Sequence, residues 1–235
     1  MERNILDVKN LVVSYGKKEV LHRISFSLER GTISALLGPN GAGKSTTLNS
    51  IFGLLKIKEG QALFNGQEIS KQGPASNTKA GIGIVPQDQK IFTDLTVLEN
   101  LEMGGYILKR EDLRARIEQV YSIFPILSER TQQWGGSLSG GERQMLAIAM
   151  SLIPSPQLLL LDEPSLGLSP LFVQKVMDNI RLINEQFQTT ILLVEQNVIE
   201  AVAISRKIFL LRLGVLIGEE ESKNISSLEK FWQMF

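Results

Sequence analysis

The chain has 235 residues, 25 Lys plus Arg against 25 Asp plus Glu, one histidine and no cysteine. A balanced charge gives no net field to draw nucleic acid or an anionic lipid surface. The missing thiols exclude disulfides and thiolate metal sites and fit a reducing compartment. A lone His22 excludes a multi-histidine metal cluster and Ser-His catalysis. The length suffices for one sizeable domain or a domain with a subdomain. No apolar run reaches the roughly 18 residues of a membrane span, and Met1-Glu2-Arg3-Asn4 is not followed by a signal-peptide apolar core. A cytoplasmic protein that meets a membrane only through partners is expected.

In chain order, residues 5–14 and 19–28 alternate around Tyr15-Gly16-Lys17-Lys18 and predict an antiparallel hairpin, with His22 as a surface residue of its second strand. Residues 32–37 form a nearly continuous apolar run, the pattern of a buried parallel strand. A helix is predicted over 44–54, a strand over 61–65 with Asn65-Gly66 as its turn, and a strand over 82–85. Thr96 and Glu99 form a capping box before a helix to Leu108. A second helix covers 111–123 and stops near Pro125, a glycine-bearing linker covers 130–137, and a long helix covers 141–152. Strands at 158–161, 189–194, 207–212 and 214–218 then alternate with helices at 170–186 and 198–205. The pattern predicts an α/β fold with a mostly parallel core sheet. Residues 1–89 and 156–235 would supply that core with an N-terminal antiparallel β subdomain, and 90–155 a helical insert.

Three segments carry chemistry. Gly38, Gly43, Lys44 and Ser45 match G-x-x-x-x-G-K-[ST] between a strand and a helix. Glycines there let backbone amides turn toward phosphate oxygens, Lys44 supplies positive charge, and the Ser45 hydroxyl suits Mg²⁺. The helix that follows adds the positive end of its dipole. Asp162-Glu163-Pro164 leaves the tip of a buried strand. Asp162 is placed to hold Mg²⁺ through water, and Glu163, one residue further out, to polarise an attacking water. Ser139-Gly140-Gly141-Glu142 has capping-box spacing. Capping accounts for Ser139 and Glu142 but leaves two adjacent glycines, whose amides at a helix start would suit a second phosphate.

These residues resemble the ATP-binding cassette family over nearly the whole chain. Residues 38–46 are similar to its Walker A loop, 158–163 to its Walker B strand, and Leu138–Gln144 to its LSGGQ signature, with Glu142 where Gln is common. The resemblance implies a P-loop NTPase fold and ATP held by the loop residues Gly38, Asn40, Gly41, Ala42, Gly43, Lys44, Ser45 and Thr46. It implies Tyr15 stacked on adenine, and Mg²⁺ held by Ser45, Gln87 and Asp162. It further implies catalysis by Glu163 with Gln196, and closure by Ser139, Gly140 and Gly141 of a facing cassette over the γ-phosphate. Gln196 stands where a switch histidine is usual and cannot carry a proton. Ser169 stands where an aspartate is usual. Slow turnover as a homodimer is therefore expected, with a related ATPase subunit as the better partner.

A finer resemblance is to the second ATPase subunit of importers of branched-chain amino acids and of their urea and amide relatives. It rests on residues 95–101, 144–149, 164–168 and 193–197; Gln87, where Glu is frequent in the branched-chain type, and the tail after Glu219 depart from it. The resemblance implies two permease subunits gripped near Gln87 and residues 90–130, a periplasmic or extracellular solute-binding protein reached through them, and the cytoplasmic face of the cell membrane. A soluble cassette ATPase acting on DNA or ribosomes is the alternative. Against it, no heptad run separates Lys44 from Ser139, and the chain holds one cassette without a basic surplus.

Overall fold

The computed structural model describes residues 3–88 and 91–224. From the N-terminus the elements are β1 (Asn4–Tyr15), β2 (Lys18–Glu29), β3 (Ile33–Leu37), α1 (Lys44–Phe52), β4 (Ile57–Phe64), β5 (Gln67–Glu68), α2 (Pro74–Ala80) and β6 (Ile82–Val85). A helical stretch follows: α3 (Val97–Gly104), α4 (Arg110–Ile123), α5 (Pro125–Ser128), a 3₁₀ turn at Gly135–Ser137 and α6 (Gly140–Leu152). The chain continues with β7 (Leu158–Asp162), α7 (Pro170–Phe187), β8 (Thr190–Glu195), α8 (Val198–Ile204), β9 (Lys207–Arg212) and β10 (Val215–Glu221), with a last 3₁₀ turn at Ser222–Asn224.

Two sheets result. The first, ordered β2-β1-β4-β5, is antiparallel. The second, ordered β10-β9-β3-β8-β7-β6, is parallel except for β10 at its edge. Every position of β3, β7 and β8 is buried, which is why they read as unbroken apolar runs. Alternate residues face opposite layers. Ala35, Leu37, Leu159, Leu161, Ile191 and Leu193 pack with the helical residues Leu101, Leu146, Ile148 and Ile180. Leu36, Leu158, Leu160, Leu192 and Val194 pack with α1 residues Leu48 and Ile51 and with the first sheet. The tips of β3, β7 and β8 thus lie side by side between two packed layers, and the loops leaving them share one edge.

Several boundaries differ from the sequence expectation. Strand β4 begins at Ile57 rather than 61, because the long β1 keeps pairing with it to Val13↔Ile57. Gly60 (φ +82) permits this, since a Cβ there would run into the Asn10 backbone. Helix α3 stops at Gly104, short of Leu108, where its backbone presses on that of Met150 in α6. Pro125 does not only end α4; it occupies the first turn of α5. Helix α2 was not predicted: its one buried residue is Asn77, so no apolar stripe marks it. The hairpin, the Thr96–Glu99 capping box and the two strands meeting at Gly214 are as expected. The open question on the tail falls mainly on residues 225–235, outside the described residues.

Candidate nucleotide site

The loop 38–43 runs from β3 to α1 over a crowded floor. A Cβ at Gly38 would enter the Leu211 carbonyl of β9, so only glycine lets the loop lie this close to the sheet. Gly43 (φ 108) is the left-handed N-cap of α1, and no side chain caps that terminus or places an acid in its first turn. The first amides of α1 are therefore left for an external acceptor, the requirement of an anion site. Lys44 Nζ donates to the carbonyls of Gly38 (2.9 Å) and Pro39 (3.3 Å), which folds its side chain back over the loop. Asn40, Gly41, Gly43, Lys44, Ser45 and Thr46 line a cavity of ≈ 590 Å³ whose other walls are Val20, Gln87, Glu163, Leu166 and Gln196. That size suits a nucleotide-sized ligand.

The two carboxylates sit differently. Asp162, the last residue of β7, is buried and accepts from Ser45 Oγ at 3.0 Å. Burial foremost pushes its carboxyl up; the Ser45 hydroxyl and Lys44 oppose that rise, and Glu163 and Asp88 add to it. Glu163 turns out of the strand with φ 48, a region β-carbon residues seldom occupy. Its N–H donates to Val194 O at 2.9 Å, which pins the turn to β8. Its Oε1 lies 3.3 Å from Lys44 Nζ. Its Oε2 accepts from Gln196 Nε2 at 2.7 Å and from Gln87 Nε2 at 3.3 Å. Three predicted residues, one from the first turn of α1 and two from separate loops, thus meet on one carboxylate.

These residues fit a magnesium ion. Ser45 Oγ and Asp162 Oδ1 are adjacent hard oxygen donors, and Gln87 lines the same cavity as Ser45. No group of three or more His, Cys, Asp or Glu suited to a metal occurs among the described residues. Mg²⁺ is commonly held by one or two protein oxygens together with phosphates and water.

The remaining predicted residues lie elsewhere. Tyr15 is 51% exposed at the end of β1 and does not line the cavity, where Val20 of β2 does. Ala42 is buried beneath the loop. Ser139, Gly140 and Gly141 do not line the cavity either. Ser139 and Glu142 form the expected capping box, and Arg130 Nη2 holds Glu142 Oε1 at 3.0 Å. One expectation is corrected here. Gly141 has an internal reason to be glycine, because a Cβ would enter the Phe172 ring of α7. Nothing lies within 4 Å of a Cβ at Gly140, so only that glycine lacks a packing explanation. Ser169 is the N-cap of α7 without a side-chain capping bond. His22 is exposed and contacts Glu19 at 2.8 Å. Sequence reasoning missed Val20, Leu166, Arg130, Phe172 and Glu195, since isolated apolar or charged residues carry no spacing signal.

The family model described as ABC transporter matches residues 21–166. The chain belongs to the ABC transporter family, as one of its ATP-binding, ATP-hydrolysing cassettes. Within it, the chain is similar to the probable branched-chain amino acid transport ATP-binding protein LivF of Archaeoglobus fulgidus, 39% identical over 97% of this chain and 96% of that protein. It is similar to the high-affinity branched-chain amino acid transport ATP-binding protein BraG of Pseudomonas aeruginosa, 38% identical over 86% of this chain and 87% of that one. Among solved structures, cbiO1 from Clostridium perfringens, part of the ABC transporter complex cbiONQ, superposes with a TM-score of 0.88 at 26% identity, covering 99% of this chain and 94% of that one. A dimeric post-hydrolysis ATP-binding cassette bound to ADP and Pi gives a TM-score of 0.82 at 27% identity, covering 92% and 98%.

Proposed function

We propose that this chain is the ATPase subunit of an importer for branched-chain or related amino acids, working as one of two facing cassettes. The relatives whose names carry branched-chain transport support the cargo class. The observation that carries the catalytic assignment is the convergence of Lys44, Gln87 and Gln196 on Glu163 beside the loop amides. The chain is one cassette, a core with its antiparallel subdomain interrupted by a helical insert.

In this reading the triphosphate lies along residues 38–46, against amides of the loop and of the first turn of α1. Lys44 meets the β- and γ-phosphates, and Tyr15 offers its exposed ring to the base. Ser45, Asp162 and Gln87 would hold Mg²⁺, which would supply neutralisation of phosphate charge. Glu163 accepts a proton from the attacking water, and Gln196 holds the Glu163 carboxylate in place and donates toward the γ-phosphate. Ser139, Gly140 and Gly141 of the facing cassette contribute amides to the other side of that phosphate. Closure is favoured because the nucleotide contacts both surfaces only when they meet.

The facing cassette is a second copy or a related ATPase subunit. Two permease subunits would dock at the helical insert and hold the chain at the cytoplasmic face of the membrane. A solute-binding protein would be reached through them. Among the described residues no helix is long and apolar enough to cross a membrane, which fits attachment through partners.

Phosphate release by the purified chain with MgATP tests the catalytic assignment. Glu163→Gln should lower kcat by at least about a hundredfold with nucleotide affinity retained; equal turnover by the variant would contradict it. Reconstitution with the permeases tests the cargo: a binding protein loaded with a branched-chain amino acid should stimulate turnover, and stimulation by urea or an amide alone would contradict it.

A further inference from the structure

Glu195, the last residue of β8, is a buried acid with no part in the chemistry above; it is 2% exposed. Its neighbours are donors. The Ser165 N–H donates to Oε1 at 2.9 Å and the Gln196 N–H to Oε2 at 3.1 Å. The Ser165 hydroxyl and the Asn197 N–H also stabilise the charged form. No cation forms an ion pair with it among the described residues. Burial pushes its carboxyl up, against the pull of those donors. A buried carboxylate kept without a cation is costly unless donors on every side use both of its oxygens.

The donors come from two loops. Ser165 lies two residues after Glu163, and Gln196 and Asn197 begin the loop after β8. From this geometry we infer that Glu195 is a positioning residue: it clamps the loop carrying Glu163 to the loop carrying Gln196 and so sets the 2.7 Å contact between Gln196 Nε2 and Glu163 Oε2. The inference rests on the reading in which Glu163 acts on water. The side-chain type follows from the partners. A glutamine offers one acceptor oxygen, and its amide group would face another donor. An aspartate is one methylene too short to reach both loops. Other bonds hold the flanks but not the clamp itself: Glu163 N–H donates to Val194 O, and Leu166 N–H to Glu163 O.

Glu195→Gln in the purified full chain is the test, because it keeps shape and volume. The clamp predicts kcat lowered at least about tenfold, with the affinity for a fluorescent ATP analogue within about threefold of native. It also predicts a melting temperature within a few degrees of native and amide exchange at 163–168 and 196–197 faster by about tenfold or more. Ser165→Ala removes the hydroxyl donor from the other side and should show a smaller loss of kcat in the same direction; it decides the matter if Glu195→Gln does not fold. Turnover within about twofold of native with unchanged exchange would overturn the inference. So would a fall in kcat matched by an equal fall in affinity, or, should Glu195→Gln not fold, Ser165→Ala turning over like native. A native chain without ATP turnover, both alone and with its related ATPase subunit, would sink the catalytic reading, while the exchange measurement would still decide the clamp.

Discussion

Gln196 Nε2 donates to Glu163 Oε2 at 2.7 Å, the shortest of the contacts that fix that carboxylate. Gln196 has no proton to give up, so its contribution is orientation and a donor, not acid-base chemistry. Gln196→Ala is expected to lower kcat about tenfold or more while KM for ATP moves less than about threefold, because one neutral donor toward the γ-phosphate adds little to binding beside Lys44 and the loop amides. Steady-state phosphate release checks this split.

The two signature glycines predict opposite responses. A Cβ at Gly141 enters the Phe172 ring, whereas one at Gly140 meets nothing within 4 Å. Gly141→Ala should destabilise the fold by about 1–3 kcal/mol through overpacking. Gly140→Ala, in an unobstructed helical position, should stabilise it by roughly 0.5–1 kcal/mol. Urea unfolding measures both. Pairing Gly141→Ala with Phe172→Ala should give a coupling energy that recovers part of the loss.

Ser45 serves two partners in the account: the ion and Asp162. Ser45→Ala removes the donor to a buried carboxylate whose charge already suffers from burial. A higher magnesium requirement for turnover, by about tenfold, is expected, together with a stability loss of about 1–3 kcal/mol. Titrating magnesium at saturating ATP, and melting the variant, reads both effects.

The Thr96–Glu99 capping box gives a pH-dependent stability. The Thr96 N–H and hydroxyl hold the Glu99 carboxyl below its ordinary 4.5. A carboxyl depressed on folding stabilises the native state at pH above its unfolded value and loses that effect as pH falls through its folded value. Thr96→Ala should cost about 1 kcal/mol near neutrality. The gap between native and variant should narrow as pH drops below 4.5. Denaturant midpoints taken across that range check the sign.

Much of this was readable from residue order, and the reasons are physical. Buried parallel strands such as Leu158–Asp162 must be apolar on both faces, so they announce themselves. The loop at 38–45 needs particular residue types at particular steps to expose amides and bring in a lysine. Capping boxes are local, so Thr96–Glu99 and Ser139–Glu142 were visible. Features decided by contacts distant in sequence were not. Glycine at 141 is dictated by Phe172, and the end of α3 by Met150. Helix α2 buries only Asn77, which hydrogen-bonds the carbonyls of Ile51 and Phe52 and leaves no stripe to read. The burial of Glu195 is likewise set by donors from two loops, Ser165 and Gln196, which no local pattern brings together.

The central claim is that ATP is completed by two cassettes, the loop of one and the α6 terminus of the other. Mass measurement in solution of Glu163→Gln with ATP and magnesium tests it most directly. The account predicts a nucleotide-dependent doubling of mass, alone or with its related ATPase subunit, abolished by Ser139→Arg. A species that stays monomeric with nucleotide, magnesium and that subunit all present would contradict it.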